Sequence, residues 1–580
     1  MTAVDLGRAL EVAVAAAREA GDHLRRDFHR PGGARGHGDK AEADTEAELL
    51  IRPRLVQAFP SCGYLGEETG RGTSPEAGAP TWLVDPNDGT RDYLEGRRGS
   101  AVSIGLVAGG RPVLGVVFAF AYPDDDGDLF VWAEGQGPLR RNGRPVTPAP
   151  GTALRASDVV LVSSTGDRDP AANLECVAPA RFRTVPSIAH RLALVAAGEA
   201  AATSALFAPR EWDYGAGHAL LGAAGGRLLD ESGEPVRYAE DGSSRTQWTL
   251  GGSAPAVELL SLRPWASTRG RTWGNDRPAR LARGEAVADS GRLSRAQGGL
   301  LGLVAGGSLA ALAAGSSPTA PLGDRLEDGS LMAGQPTGAV ETALALARSI
   351  VSHGSYSADT ALGAYKDWLD SEPFDADPVM RSALVRAIPL ATFAHGLAAD
   401  EAAEMGRRDG VLTGADPACA AAAGALVLAV SHAIAWADGP RGAHRAALEW
   451  ARDAGVPQPV TDALAQAATG PPRIVDRSTS TAATVLHNAF FELLRAGDVA
   501  SGVLAATQRG GDSGVDAAIT GGLLGAVHGR QAVPAQWRSM VLSCRPHPLR
   551  AAKPRPRIYW PTDVYEVAER LLLAGMRPTV

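Results

Sequence analysis

Cysteine is scarce in this chain of 580 residues. Cys62, Cys176, Cys419 and Cys544 lie far apart and form no C-x-x-C pair. This excludes a disulfide framework and a cysteine-based zinc site, and it favours a reducing compartment. An excess of positive charge is also missing, because 57 Lys and Arg stand against 65 Asp and Glu, for a net charge of −8. That balance argues against a nucleic-acid-binding protein but is compatible with a small phosphorylated substrate held in a local site.

The sequence also lacks the features of a secreted or membrane protein. The basic-then-apolar order of a signal peptide is absent, since Asp5, Glu11 and Glu19 interrupt the first apolar segment, whose helical spacing predicts an amphipathic helix. Residues 296–323 carry no charge, but the Gly306-Gly307 pair, Gly315 and two prolines lie among them. This pattern favours a buried helix followed by a loop over a membrane span. We therefore expect a cytoplasmic protein that does not contact a membrane.

The chain changes character near its middle. Up to Leu262, helical patterns mix with short runs rich in β-branched residues that predict strands. The strand candidates are 82–84, 101–107 and 112–120. Residues 263–295 are polar, Arg-rich and weakly periodic, as expected of a linker, and beyond them almost every segment has helical period and composition. We predict a mixed α+β domain over 1–262, a linker over 263–295 and an all-α domain over 296–580.

The most informative segment is the string W-L-V-D-P-N-D-G-T at 82–90. An apolar strand runs into Asp85 and Asp88, whose carboxylates can converge on one hard cation together with the carbonyl of Asn87. Gly89 and Thr90 would then open a helix whose free N–H groups suit a phosphate. Mg²⁺ prefers such a set of few carboxylates, water and substrate oxygens. Taken alone, the same string is more typical of an Asx turn.

Two further acidic motifs flank this string. G-E-E-T-G at 66–70 lies upstream, and E-W-D-Y-G-A-G at 211–217 lies downstream and leads to A-A-G-G at 223–226. Alone, Glu67 and Glu68 are typical of a solvated surface, and Trp212-Asp213 is typical of a helix start. The order and spacing of all three motifs together favour one metal site.

With these three motifs in order, the first ~260 residues resemble the inositol monophosphatase superfamily of Mg²⁺-dependent phosphomonoesterases. The resemblance implies a layered αβαβα sandwich, two or three Mg²⁺ ions, and a small phosphorylated substrate. The metal ligands that it implies are Glu67, Asp85, the Asn87 carbonyl, Asp88 and Asp213. Gly89 and Thr90 would bind phosphate through backbone N–H groups, and Glu67 and Thr90 would orient the attacking water. Since the family is commonly dimeric, the resemblance also implies a homodimer.

One departure from the family lies upstream of these motifs. The family's V-T-x-x-D pattern corresponds here to Lys40-Ala41-Glu42-Ala43-Asp44. Asp44 is retained, as a further residue of the catalytic group, but an alanine replaces the threonine that helps to hold the water network.

The residues after the metal motif bear on the substrate. Arg91-Asp92-Tyr93-Leu94 resembles the D-G-T-[KR]-[ED]-[FY] continuation found in the branch that removes the 3′-phosphate from 3′-phosphoadenosine 5′-phosphate. Similar strings occur in histidinol-phosphate and general inositol-phosphate branches, so these substrates stay open beside a nucleotide-like one. Arg91 would contact a second phosphate, or it is an ordinary surface residue.

The second half of the chain resembles the ADP-ribosylglycohydrolase family, an all-α fold. The resemblance rests on the segments 302–309, 337–347 and 384–390, and above all on G-G-D-S-G-V-D-A-A-I-T-G-G-L-L-G-A-V-H-G at 510–529. The family holds two Mg²⁺ ions with aspartates that are missing here. The replacements are Gly307, Gly338, Ala339, and Gly514 with Val515. Asp512 survives, and Asp516 lies two residues past a lost ligand, about 200° round the helix. One carboxylate cannot build a di-metal site.

Three functional hypotheses follow. The first is a Mg²⁺-dependent phosphomonoesterase acting on a 3′-phosphonucleotide, NADP or phosphorylated nucleoside, fused to a pseudo-glycohydrolase domain. The second is a regulatory protein that binds ADP-ribose or a nucleotide in its second half and has weak phosphatase activity. The third is a metal-independent glycohydrolase that uses Asp512 or Asp516 as acid and base.

Overall fold

The computed structural model describes residues 4–72, 78–147, 153–268, 286–313, 331–375, 383–414, 416–473, 481–509 and 513–576. The chain divides into two compact units, Met1–Ala288 and Asp289–Val580. Each unit has its own hydrophobic interior.

The N-terminal unit mixes helices and strands. Its helices are α1 (Leu6–Phe28), α2 (Glu42–Ala58), α3 (Thr90–Leu94), α4 (Pro170–Cys176), α5 (Ile188–Ala196), α6 (Glu211–Ala223) and α7 (Ala254–Ser261). Its strands are β1 (Gly36–His37), β2 (Lys40–Ala41), β3 (Gly63–Gly66), β4 (Gly70–Arg71), β5 (Thr81–Asp88), β6 (Ala101–Ala108), β7 (Arg111–Ala119), β8 (Asp128–Ala133), β9 (Arg140–Arg141), β10 (Arg144–Pro145), β11 (Val159–Val162), β12 (Arg181–Thr184), β13 (Ala202–Ala205), β14 (Arg227–Leu229) and β15 (Thr249–Gly252). The predicted first helix and the three predicted strands are confirmed, with β5 extended to Asp88.

These elements form five layers. An eight-stranded sheet has the order β10-β9-β8-β7-β6-β5-β3-β4, and a five-stranded sheet has the order β12-β11-β13-β15-β14. Helices α1 and α2 cover the outer face of the larger sheet, α5 and α6 lie between the sheets, and α4 and α7 cover the smaller sheet. This arrangement confirms the predicted αβαβα sandwich.

Glycines in the larger sheet let α6 lie close to it. A Cβ on Gly115 would stand 2.3 Å from the Ala216 carbonyl oxygen, and one on Gly105 would stand 2.8 Å from the Ala216 nitrogen. Because side chains are absent at these two strand positions, the backbone of α6 approaches the sheet directly. This contact holds α6 against β6 and β7.

The predicted linker over 263–295 has regular structure at both ends. A 3₁₀ turn covers Trp265–Thr268, and the Trp265 indole is buried in the N-terminal unit. Val287 is also buried, and its carbonyl oxygen accepts a hydrogen bond from Arg98 Nη2 at 3.0 Å. Residues 269–285, the larger part of the predicted linker, lie outside the described residues.

The described elements of the C-terminal unit are all helical. Its helices are α8 (Ser290–Ala313), α9 (Gly338–His353), α10 (Ala358–Asp370), α11 (Ala383–Phe393), α12 (Ala399–Leu412), α13 (Pro417–Trp436), α14 (Gly439–Asp453), α15 (Gln458–Ala467), α16 (Ala482–Arg495), α17 (Val499–Thr507), α18 (Ser513–His528), α19 (Ala535–Leu542) and α20 (Val564–Met576). Short 3₁₀ turns cover Ala394–Gly396, Arg530–Ala532 and Arg557–Tyr559. The predicted all-α class is confirmed.

Helices α8 and α18 form the centre of this unit. They pack backbone to backbone through small residues four positions apart: a Cβ on Gly302 would stand 2.0 Å from the Gly521 carbonyl oxygen, and one on Gly298 2.2 Å from that of Gly525. This contact explains why the charge-free stretch that begins at residue 296 is so rich in glycine.

Two described helices, α8 and α13, are long and apolar enough to cross a membrane by length and composition. In each helix, 83% of the most apolar stretch is buried inside the protein. Such burial is also typical of the core helices of a soluble fold.

Candidate active site

Strand pairing brings Glu67 next to Asp85. Strand β3 runs parallel to β5 with Gly66 opposite Val84, and the Glu67 N–H donates to the Val84 carbonyl oxygen at 3.0 Å. Glu67 directly follows Gly66 and Asp85 directly follows Val84, so the two acidic residues lie side by side on neighbouring strands. Their carboxyl groups lie close enough for each to act on the pKa of the other, as expected for ligands of one metal site.

The D-P-N-D turn is both an Asx turn and part of this acidic cluster. The Asn87 N–H donates to Asp85 Oδ1 at 2.8 Å, and the pairing of β5 with β6 shifts register between Asp85 and Asp88. Gly89 follows with φ of +103°, a left-handed conformation that favours glycine. The irregular register turns Asp88 away from the sheet pattern and towards α5.

Asp88 lies against the start of α5. Its Oδ2 accepts hydrogen bonds from Ser187 Oγ at 2.6 Å and from the Ala189 N–H at 2.7 Å. The N–H groups of the first helical turn have no partner within the helix, so they stabilise a carboxylate placed there. Helix α5 therefore holds one oxygen of Asp88.

Asp213 lies in the first turn of α6 and reaches the site from there. Its Oδ2 accepts from the Arg210 N–H at 2.8 Å, completing a capping arrangement. Ser103 Oγ donates to the Trp212 carbonyl oxygen at 2.9 Å, which ties this turn to β6. The expectation that Asp213 supports a helix start and the expectation that it joins the acidic site are thus compatible.

Asp44, Asn87 and Thr90 form a hydrogen-bonded group beside the carboxylates. Asp44 Oδ1 accepts from Asn87 Nδ2, and Asp44 Oδ2 accepts from Thr90 Oγ1, both at 2.8 Å. Thr90 Oγ1 also lies 3.1 Å from the Asn87 carbonyl oxygen. Burial raises the pKa of Asp44 to about 7, against the opposing effect of these two hydrogen bonds.

The negative charge of the acidic cluster exceeds the positive charge of the side chains around it. Burial, followed by repulsion from neighbouring carboxylates, raises the pKa of Asp85 and Asp213 well above the ordinary value, and burial also raises that of Asp88. The pKa of Glu67 rises to about 7, mainly by desolvation, although its side chain reaches solvent. Such a set of oxygen donors, in which carboxylates outnumber the nearby protein cations, fits Mg²⁺.

The acidic side chains do not form a compact ligand group. In the described part of the chain, no three His, Cys, Asp or Glu side chains form a group that could hold a metal ion as they stand. One oxygen each of Asp85, Asp88 and Asp213 is bound to a neighbouring N–H or hydroxyl group. Metal binding would engage the remaining oxygens.

The raised pKa values predict a pH-dependent effect of Mg²⁺ on stability. A carboxyl whose folded pKa exceeds its unfolded pKa of about 4 destabilises the folded state increasingly as pH rises through the folded value, here about 7 for Glu67. Mg²⁺ relieves this penalty, so we expect it to raise Tm more at pH 8 than at pH 6. Thermal unfolding with Mg²⁺ or with EDTA at both pH values measures the difference. An equal rise at both would contradict the expectation.

Ala41 occupies the cap position of α2. Its backbone is extended (φ −107°, ψ 136°) and no side chain caps the helix. Threonine at a cap is worth about 1 kcal/mol over alanine. We expect Ala41→Thr to raise the free energy of unfolding by about that amount and to increase phosphate release several-fold by restoring the hydroxyl near Asp44. Ala41→Val, with the same shape and no hydroxyl, is the control and should give neither gain.

Arg191 is a site residue that the sequence interpretation missed. It lies on α5, is buried, and donates to the carbonyl oxygens of Val185 at 2.7 Å and Pro186 at 2.8 Å. These carbonyls precede Ser187, the residue that holds Asp88. Burial lowers the pKa of Arg191 to about 10, while the acidic residues around it act in the opposite direction. An arginine in the apolar string I-A-H-R-L-A-L-V-A was the available signal.

The three residues after Thr90 have different surroundings. Arg91 is exposed on α3. Asp92 is buried and accepts from Ser164 Oγ at 2.6 Å, and Tyr93 is buried with its hydroxyl donating to the Leu24 carbonyl oxygen at 3.0 Å. Of the three, Arg91 alone presents its side chain to solvent, as a contact to a second phosphate requires.

Packing closes one of the lost-ligand positions in the C-terminal unit. At Gly338, where the family has an aspartate, a Cβ would stand 2.1 Å from the Asp375 carbonyl oxygen. Next to it, buried Glu341 accepts from Trp368 Nε1 at 2.8 Å and from Arg555 Nε at 3.0 Å. Backbone, an indole and a guanidinium therefore occupy the surroundings of the lost ligand at position 338.

Two aspartates of that site remain in the chain, Asp512 and Asp516. Asp512 lies outside the described residues. Asp516 is fully buried on α18, where its Oδ2 accepts from Arg509 Nη1 at 3.2 Å, and burial raises its pKa to about 6. Arg509 also pairs with Glu492 of α16. Asp516 thus belongs to a buried ion-pair cluster between helices.

Restoring one lost aspartate should damage this unit. We expect Gly338→Asp to lower the free energy of unfolding by at least about 2 kcal/mol, since it overpacks the Asp375 carbonyl and buries a charge. Chemical denaturation measures the change, with Gly363→Asp, where a Cβ meets nothing within 4 Å, as control. Stabilisation of Gly338→Asp by Mg²⁺ would show instead that a metal site persists.

The N-terminal geometry defines a class of protein. Carboxylates from three separate chain segments lie close enough to raise one another's pKa, beside the hydrogen-bonded pair of Thr90 and Asp44, within an αβαβα sandwich. This combination is that of a metal-dependent hydrolase acting on phosphate esters.

Comparison with known proteins identifies the family. The inositol monophosphatase family model matches residues 5–253, and the ADP-ribosylglycohydrolase model matches residues 288–577. Inositol monophosphatase 1 of Solanum lycopersicum is 34% identical over 273 residues, which cover 44% of this chain and 96% of that protein. Nus factor SuhB of Xylella fastidiosa is 31% identical over 265 residues, covering 43% and 92%. The solved inositol monophosphatase of Anabaena (Nostoc) sp. PCC 7120 is 26% identical, covering 44% and 95%, with a TM-score of 0.36.

The chain therefore belongs to the inositol monophosphatase family, with an ADP-ribosylglycohydrolase family domain fused behind the phosphatase domain. It is a Mg²⁺-dependent phosphoric monoester hydrolase. Since the match covers 96% of the tomato protein, the N-terminal unit alone corresponds to a whole member of the family.

Proposed function

We propose that the N-terminal unit hydrolyses the phosphate monoester of a small nucleotide-like metabolite, such as a 3′-phosphonucleotide, NADP or a phosphorylated nucleoside. The meeting of Glu67 and Asp85 with Asp88 and Asp213 carries the hydrolase part of this proposal. The exposed Arg91 and the fused domain of a family named for ADP-ribose support the nucleotide part.

The chain's own residues suggest how water is activated. Glu67, Asp85, Asp88, Asp213 and the Asn87 carbonyl would hold two or three Mg²⁺ ions, which supply the positive charge that acidifies a water and stabilises the leaving oxygen. Thr90 donates its hydroxyl proton to Asp44, so its oxygen lone pairs can accept a hydrogen bond from that water. With a pKa of about 7, Asp44 can take up a proton near neutral pH. The phosphate would lie at the Gly89–Thr90 N–H groups.

We assign no catalysis to the C-terminal unit. The closed surroundings of Gly338 and the pairing of Asp516 with Arg509 oppose both a di-metal centre and a free acid–base pair. Binding of ADP-ribose or a nucleotide there would make it regulatory. We also propose a cytoplasmic, dimeric protein, in keeping with its four buried cysteines.

A substrate panel tests this proposal. Phosphate release would be measured with Mg²⁺ on 3′-phosphoadenosine 5′-phosphate, NADP, inositol 1-phosphate, histidinol phosphate and AMP, with and without ADP-ribose. We expect the first two compounds to have the highest kcat/KM, and Arg91→Ala to lower kcat/KM more for 3′-phosphoadenosine 5′-phosphate than for AMP. A preference for inositol 1-phosphate would contradict the nucleotide assignment. Release of a free base or ribosyl product in EDTA would favour the metal-independent glycohydrolase.

A further inference from the structure

Glu48 is a buried carboxylate outside every motif singled out in the sequence. It lies on α2 with no exposed surface. Its oxygens accept hydrogen bonds from Tyr64 Oη at 3.1 Å, from the Glu68 N–H at 2.8 Å, and from both the N–H at 3.2 Å and Oγ1 at 2.5 Å of Thr69. Three of these four donors belong to the two residues that follow Glu67.

The backbone on both sides of Glu67 is therefore fixed. On one side the Glu67 N–H donates to Val84 of β5, and on the other the N–H groups of Glu68 and Thr69 donate to Glu48. Between these anchors the direction of the Glu67 side chain depends on both β5 and Glu48.

Gly66 also lies directly against the Glu48 carboxylate. A Cβ at this position would stand 1.8 Å from Glu48 Oε1, so Glu48 requires glycine there. Three members of the G-E-E-T string therefore contact Glu48: the glycine, the Glu68 N–H and the threonine hydroxyl. The remaining member, Glu67, faces the other carboxylates.

We propose that Glu48 is a positioning residue that sets the Mg²⁺ affinity of the site by fixing Glu67. The inference rests on the proposed function, since Glu67 matters as a metal ligand. Because the oxygens of Glu48 already accept four hydrogen bonds, it acts through the loop and is not itself a ligand. A carboxylate suits this role since it has only acceptors, whereas an amide would turn an NH₂ group towards donors.

Glu48→Gln tests the proposal. The Mg²⁺ concentration for half-maximal effect would be measured by titration calorimetry and by the Mg²⁺-dependent rise in Tm, and kcat would be measured at saturating Mg²⁺. We expect the half-maximal Mg²⁺ concentration to rise roughly tenfold, the lower end of what loss of a ligand's supporting partner costs, with kcat within about threefold of wild type. Glu42→Gln, an exposed carboxylate on the same helix, should match wild type.

Thr69→Val supplies a second, milder variant. It removes one donor to Glu48 and leaves the two N–H donors, so we expect a smaller rise of about threefold in the half-maximal Mg²⁺ concentration. If Glu48→Gln fails to fold, the Mg²⁺ dependence of Thr69→Val alone tests the proposal. In the double variant the two effects should be less than multiplicative, because both act through the same contact.

A well-folded Glu48→Gln or Thr69→Val variant with unchanged half-maximal Mg²⁺ concentration would overturn the proposal. A lower Tm alone, with unchanged Mg²⁺ dependence, would do the same by assigning Glu48 to stability. Failure of the proposed function is a separate result: wild type would show the Mg²⁺-dependent rise in Tm but release no phosphate. The role of Glu48 would then still be judged on Tm and calorimetry.

Discussion

Asp85→Asn is expected to lower kcat/KM for phosphate release at least about a thousandfold. Asp85 is buried, and the negative charges of Glu67, Asp88 and Asp213 raise its pKa further. An amide removes the negative charge that would bind the cations, and the loss of about 4 kcal/mol of transition-state stabilisation corresponds to a factor of this size. Steady-state kinetics with Mg²⁺ measures the effect.

The same substitution should stabilise the metal-free protein. It removes one of the mutually repelling buried carboxylates, so Tm in EDTA is expected to rise while the Mg²⁺-dependent increase in Tm disappears. Asp22→Asn, at an exposed position on α1, is the matched control and should change neither quantity. Retention of Mg²⁺-dependent activity within tenfold of wild type by Asp85→Asn would exclude Asp85 as a metal ligand.

Thr90→Val is expected to lower kcat about a hundredfold and to change KM less than about threefold. The valine keeps the shape of the side chain but lacks the hydroxyl that bonds Asp44 at 2.8 Å. Proton transfer by a positioned group contributes a factor of 10² to 10⁴, and the hydroxyl is one member of that group. Mg²⁺ binding measured by calorimetry should stay near the wild-type value.

Thr90→Ser provides the control, because it restores the hydroxyl and should recover most of kcat. Asp44→Asn should resemble Thr90→Val in kcat, and the two losses should not multiply in the double variant. If Thr90→Val instead weakened Mg²⁺ binding and left kcat at saturating Mg²⁺ unchanged, the hydroxyl would belong to the metal site and not to proton transfer.

Much of the phosphatase half could be predicted because its chemistry lies in contiguous strings. The run 82–90 combines strand, turn and helix start in one place, and the spacing of its aspartates points to a cation before any contact is known. The αβαβα order and the all-α second half followed from the resemblances and from the change in periodicity near residue 262.

Glu48 and Arg191 could not be found this way. Each is a single charged residue on a helix, and its role depends on which strand ends and loops the fold places against it. The Glu67–Asp85 contact likewise depends on parallel pairing of β3 with β5, which sequence spacing does not specify.

The C-terminal unit shows a further limit of prediction from sequence. The missing aspartates at 338 and 339 were visible in the sequence, but the filling of their surroundings was not. The Asp375 carbonyl and Arg555 come from distant parts of the chain. Sequence comparison shows that a ligand is lost, whereas packing shows that the space for it is lost too.

The most direct test of the central claim is phosphate release as a function of Mg²⁺ concentration, for wild type and Asp88→Asn on the best substrate of the panel. We predict saturable activation of wild type by Mg²⁺, no release in EDTA, and no Mg²⁺-dependent release by a folded Asp88→Asn. Release by wild type that persists in EDTA, or equal Mg²⁺-dependent release by Asp88→Asn, would contradict a metal-dependent phosphatase site built on these carboxylates.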